Sequence, residues 1–115
     1  MLPTELARHQ VDNRAELLLR VDPDLFWFRG HFPDQPLLPG VAQLDWVMHY
    51  GILLLAPNHQ FAAVENIKFQ QPILPGSTLC LRISWLAEKR QLTFSYARIA
   101  AASETVASSG KIGLC

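Results

Sequence analysis

The chain is predicted to be α+β, one long helix with an antiparallel β-sheet around it. Three observations predict this. Residues 40–56 (GVAQLDWVMHYGILLLA) carry apolar side chains at helical spacing and nearly all the way round. Four later segments alternate with period two: FAAVENIKFQ (61–70), TLCLRISWLA (78–87), QLTFSYARIA (91–100) and TVASSGKIGL (105–114). A single helix cannot bury itself on every side, and a sheet curved about it supplies the missing cover.

The elements follow in order. AELLLRV, residues 15–21, is short and apolar enough for a first strand. Residues 25–39 mix aromatics with Gly30, Pro33, Pro36 and Pro39. Each proline forbids helix just before it, so this stretch is extended or looped. From Gly40 the period changes. Apolar residues at 41, 44, 47, 48, 52 and 55 share one helical face, and Ala42, Trp46, Leu53 and Leu54 make the rest apolar, which predicts a buried helix. Pro57 and Asn58 stop it. Turn signals at Pro75-Gly76, at Glu88-Lys89-Arg90 and around Ala101 to Glu104 separate the strands that follow.

A length of 115 residues predicts one domain spanning 1–115. Half the residues are apolar, 17% are charged, and ten basic side chains balance ten acidic ones. That composition excludes a disordered chain and lacks the basic excess that nucleic acid or an anionic membrane rewards. So apolar a small domain is expected to hide part of its surface in an oligomer. Cys80 and Cys115 make neither a disulfide framework nor a metal-type spacing, which fits a reducing cytoplasm. MLPTELARHQVDNR lacks the apolar core of a signal peptide. The apolar run around Ile52 to Ala56 is too short for a membrane span, so the expectation is a soluble protein.

One hexapeptide nearly recurs: QPLLPG at 35–40 and QPILPG at 71–76. The flanks do not match, and solenoids need three or more units. The first copy leads into a helix and the second into a strand, which reads as one local turn used twice.

The surroundings of the first copy carry chemistry. Gly30-His31-Phe32-Pro33 stands just before it, and Asp45 lies inside the apolar helix five residues after Gly40. Between them is a helix N-terminus, whose amides lack intrahelical partners and can polarise a carbonyl oxygen. A base, an acid and oxyanion donors are what proton abstraction beside a carbonyl requires. Two blander readings stand beside this one. A histidine on a loop is commonly a surface group, and Asp45 could pair with His49 one turn on, relieving the cost of a carboxylate on an apolar helix. Gln43 is likewise open to two readings, orienting a substrate or packing and capping the helix.

The pattern Gly30-His31-Phe32-Pro33-x-x-Pro36-x-x-Pro39-Gly40-Val41-x-x-x-Asp45 resembles the active-site signature of the β-hydroxyacyl-acyl-carrier-protein dehydratases, the FabA/FabZ group. The spacing matches as well, with Asp45 fourteen positions after His31. NIKFQQPILPG resembles the family's strand-and-bulge segment after the helix, so the likeness runs from about residue 15 to the C-terminus. It implies the hot-dog fold and a homodimer or higher even oligomer, with sheets joined edge to edge and each site shared between subunits. His31 would take the α-proton of a 3-hydroxyacyl thioester, and Asp45 of the other chain would help the β-hydroxyl leave as water. Gly40 and Val41 would bind the substrate, the Gly40 amide holding the thioester carbonyl.

The resemblance further implies no metal and no organic cofactor, with the acyl group carried on the phosphopantetheine arm of an acyl carrier protein. Arg29, Lys68, Arg82, Lys89, Arg90 and Arg98 are candidate carrier contacts, although scattered charges of this kind more often form a solvated face. The acid is Asp, as in the FabA-like branch, and the chain is shorter than either branch. Trp46, Met48 and Tyr50 after the acid are bulky and must reshape the acyl tunnel. A short chain with LDW after PGV resembles the stand-alone dehydratases of aryl-polyene clusters. Two other functions compete: a hot-dog acyl-CoA or acyl-carrier thioesterase, and a silent subunit supporting a partner enzyme. The His-Phe-Pro segment argues against the first, and the presence of both His31 and Asp45 against the second.

Overall fold

The computed structural model describes residues 2–25 and 37–115. Within them lie six strands and one long helix: β1 (Thr4–Val11), β2 (Arg14–Arg20), α1 (Gly40–Leu54), β3 (Phe61–Phe69), β4 (Thr78–Leu86), β5 (Gln91–Ala100) and β6 (Ser103–Leu114). The strands form one sheet in the order β1-β2-β4-β5-β6-β3, and every neighbouring pair is antiparallel. The helix lies against its concave face. This is the α+β hot-dog fold that the sequence predicts.

Period two explains the strands that line the helix. In β4, Leu79, Leu81, Ile83 and Trp85 point inward and are buried, while Arg82 points out. From α1, Trp46, Val47 and Tyr50 meet the residues of β4, β5 and β6 in a single core. Fully burying one such side chain is worth about 1.5–3 kcal/mol, so this seam holds the helix in the sheet. Gly51 lets the helix come close, because a Cβ there would stand 2.7 Å from Leu92 Cδ1.

The helix differs from the sequence expectation in which face it buries. The inward residues are Ala42, Gln43, Trp46, Val47, Tyr50 and Gly51. Of the predicted face only Val47 is fully buried, and Val41 is 64% exposed. A helix apolar all round carries almost no directional signal, so the pattern could not choose a face. Nor is α1 buried on all sides, since Val41, Asp45, His49 and Leu53, four residues apart, form an exposed stripe.

Strand β1 was not expected from the sequence. Nearly every residue of TELARHQV is exposed, so it is held by its ladder to β2 and leaves no alternating apolar pattern to read. The turn near residue 101 is also shorter than expected, because β6 begins at Ser103 after Ala101 takes a left-handed conformation (φ 50°).

The two hexapeptides part company as well. The second is a turn: Gly76 has φ +84° and the Ser77 amide donates to the Leu74 carbonyl at 3.2 Å. In the first, Gly40 is the first residue of α1. The copies nonetheless meet, the Leu38 amide donating to the Ile73 carbonyl at 2.8 Å.

Candidate active site

The start of α1 is unusual in what it lacks. Pro39 occupies the N-cap with extended backbone (φ −67°, ψ 154°) and offers no side-chain cap, and the first turn holds no acidic residue. The Ala42 and Gln43 amides both donate to the Pro39 carbonyl, at 3.1 and 3.2 Å. Among the described residues none accepts from the Gly40 or Val41 amide. Two N–H groups at the positive end of a helix are thus left to attract an oxygen carrying negative charge.

Gly40 stands at a cleft of about 440 Å³ between the two hexapeptide segments, lined by Leu37 to Gly40, Gln43 and Phe69 to Pro72. Phe69, at the end of β3, lays its ring against Gly40, where a Cβ would fall 2.6 Å from the ring tip. Behind Gln43, beneath the cleft, lies a buried polar cluster whose members are hydrogen-bonded. Gln43 is 4% exposed and Ser108 is 0% exposed. The Ser108 hydroxyl donates to Gln43 Oε1 at 2.7 Å, Gln43 Nε2 donates to the Leu38 carbonyl at 3.2 Å, and the Tyr96 hydroxyl donates to the Gln43 carbonyl at 2.6 Å. Burial pushes the Tyr96 hydroxyl well above the ordinary tyrosine range, so it remains a donor.

Asp45 stands elsewhere. It is exposed, and the cost of burying its carboxylate does not arise within one chain. It lines a separate hollow of about 400 Å³ with Met48, His49, Ile52 and Leu53. Five residues along a helix rotate a side chain by 500°, so Asp45 points about 140° away from Gly40 around the axis. Among the described residues no hydrogen bond or ion pair joins Asp45 to His49, whose ring meets Tyr50 edge-on at 5.0 Å. His31, with Gly30, Phe32 and Pro33, lies outside the described residues.

The remaining expectations sort by position. Arg82 is held by Glu16 at 3.0 Å and Glu104 at 2.6 Å on the outer face of the sheet. Arg98 reaches the rim of the cleft, where it donates to the Pro72 carbonyl at 3.3 Å. Lys68, Lys89 and Arg90 are exposed, and Arg29 lies outside the described residues. Another hollow of about 580 Å³, under the β1–β2 turn, includes Arg82 among its lining residues but neither Asp45, Gly40 nor Val41. Among the described residues no cluster of three or more His, Cys, Asp or Glu could hold a metal ion, and no helix is long and apolar enough to cross a membrane. Sequence reasoning passed over Phe69, Tyr96 and Ser108. Only Ser108 left a trace, as a polar residue in an otherwise apolar strand pattern.

The geometry can be set beside known proteins. A family model described as ApeI dehydratase matches residues 7–111. A crystal structure of a protein from Erwinia carotovora subsp. atroseptica is 60% identical, with a TM-score of 0.94 over all of this chain and 97% of that one. The dehydratase heterocomplex ApeI:P from Xenorhabdus doucetiae contains a chain 52% identical, with a TM-score of 0.93 over 100% of this chain and 99% of that one. The 3-hydroxyacyl-[acyl-carrier-protein] dehydratase FabZ of Histophilus somni is 34% identical over 93 residues, 74% of this chain. The match spans 61% of that enzyme's length. The family match over residues 7–111, together with these relatives and the hot-dog fold, places the chain in one family: it belongs to the ApeI-like dehydratases, within the FabA/FabZ-like hot-dog group.

Proposed function

We propose that the protein removes water from 3-hydroxyacyl thioesters carried on an acyl carrier protein, giving trans-2-enoyl thioesters. In this reading the thioester carbonyl lies in the cleft and accepts from the Gly40 and Val41 amides. The negative charge that grows on its oxygen as the α-proton leaves is stabilised by the helix start. His31 takes that proton from Cα, the electrons form the Cα–Cβ double bond, and the β-hydroxyl departs as water with a proton from Asp45 of a second subunit. The reading asks for no metal or organic cofactor.

The observation that carries it is the helix start beside the cleft, where among the described residues none accepts from the Gly40 or Val41 amide. The sharing of the site is supported by a second one, since Gly40 and Asp45 line different hollows of one chain. Strand β3 offers the means of assembly. Among the described strands it pairs with β6 alone, and Phe61, Val64 and Phe69 are exposed apolar residues on it, an edge that proteins normally pair or cover. Pairing two copies of β3 gives a homodimer. The Xenorhabdus neighbour, being a heterocomplex, favours a second reading in which the other chain is a related dehydratase.

The test is a mass-spectrometric assay on a 3-hydroxyacyl carrier protein. Wild type is expected to yield a product lighter by one water, and His31→Ala and Asp45→Asn none. Mixing the two variants should restore about a quarter of wild-type activity, because half the dimers then hold one intact site. Release of free acid would point to a thioesterase and overturn the reading. Failure of the mixture to recover would overturn the sharing of the site between copies.

A further inference from the structure

A helix usually fixes its first turn with a Ser, Thr, Asp or Asn side chain at the N-cap, which takes the amide two or three residues on. Here Pro39 cannot do so. An uncapped first turn frays, yet the proposed chemistry needs the Gly40 and Val41 amides held still and unclaimed. Something other than a cap must fix this end.

The buried side of the first turn supplies it. Gln43 turns into the core, and its amide ties two distant pieces of chain together: the Leu38 carbonyl, just before the helix, and the Ser108 hydroxyl in β6. Its backbone carbonyl takes a third bond from Tyr96 of β5. Ser108 sits beside an irregularity in the β5–β6 ladder, where Tyr96 pairs with Ser108 and Ala97 with Val106. Ala107 is thereby left over, and its carbonyl accepts the Gln70 and Gln71 amides at 2.8 and 3.0 Å, anchoring the opposite wall of the cleft. A buried amide costs about 1–3 kcal/mol when its partners are missing, so a leucine of similar size would be the ordinary core choice. The polar side chain here does what packing alone cannot, fixing the direction of the loop and the depth of the first turn at once.

We propose that Gln43, with Ser108 and Tyr96, is a positioning residue that braces the first turn of α1 from inside and so keeps the Gly40 and Val41 amides fixed yet available to the thioester oxygen. The inference rests on the dehydratase reading. Gln43 lines the cleft with only 4% of its surface exposed, and the inference assigns it an effect on the transition state rather than on binding.

The experiment compares wild type with Gln43→Leu, Ser108→Ala and Tyr96→Phe in the full chain, assayed on a 3-hydroxyacyl carrier protein. The expected result is a kcat lower by about tenfold for Gln43→Leu and less for the other two, with KM within about twofold. A binding readout separates positioning from mere structure. An enoyl-pantetheine thioester and its thioether analogue, which lacks the carbonyl oxygen, are titrated against each protein. Wild type should prefer the thioester and the variants should lose that preference while binding the thioether as before. An inactive wild type would sink the dehydratase reading itself. An active wild type with variants of unchanged kcat, or with KM alone raised, would overturn the inference. Ser108→Ala removes one hydroxyl and carries the test should Gln43→Leu fail to fold.

Discussion

Gly40 and Gly76 end nearly identical hexapeptides and are glycines for opposite reasons. Gly76 has φ +84° with nothing within 4 Å of where its Cβ would be, so only backbone freedom demands it. Gly40 has an ordinary helical backbone, but its missing Cβ makes room for the Phe69 ring. One glycine serves the chain's own turn and the other serves an approach from elsewhere. Equal letters therefore report unequal constraints, one local and one tertiary.

Substitution can break the comparison. The largest effect is expected at Gly40→Ala, where kcat should fall by about 10²-fold because the displaced ring crowds the amides. Stability should change little, since the half-exposed ring can turn off the new Cβ into the cleft without disturbing the core. Adding Phe69→Ala should recover part of the lost rate, read as non-additivity in a double-mutant cycle. Gly76→Ala should behave the other way round. A non-glycine residue in left-handed backbone costs about 1–2 kcal/mol, which lowers Tm by roughly 4–8 °C while kcat/KM stays within twofold. Equal losses of rate in both variants would mean that the two segments act as one unit through the Leu38–Ile73 hydrogen bond.

The smallest effect concerns pH and the network beneath the first copy. Burial holds the Tyr96 hydroxyl above the 10.0 of a free tyrosine, so above that pH the unfolded chain releases a proton that the folded chain keeps. The unfolded state then gains, and stability should fall as pH rises. Urea midpoints at about pH 9 and about pH 11 should diverge in wild type and less so in Tyr96→Phe. Tyr50, also raised by burial, keeps part of the slope.

The strands β3 to β6 were legible almost to their ends, because alternation along one strand is a property of neighbouring residues. The β1 strand was not, because its exposed residues are held by backbone bonds to β2, which leave no mark on side-chain pattern. The helix was legible as a helix, but its inward face was not. Asp45 stood out as a carboxylate among apolar residues, and the same feature misled about its burial, since the apolar surface around it is the outward stripe rather than core.

By itself, then, the sequence determined the fold class, the helix and most strands, and the signature from Gly30 to Asp45, all of which depend on residues close together in the chain. Only the tertiary structure decided that Gly40 and Asp45 face different hollows and that Phe69 covers one of them. It also decided that Gln43 is held from Tyr96 and Ser108, 53 and 65 positions away. Those are matters of which surfaces meet, and a contact between distant segments is fixed by packing the whole core, which no local period encodes.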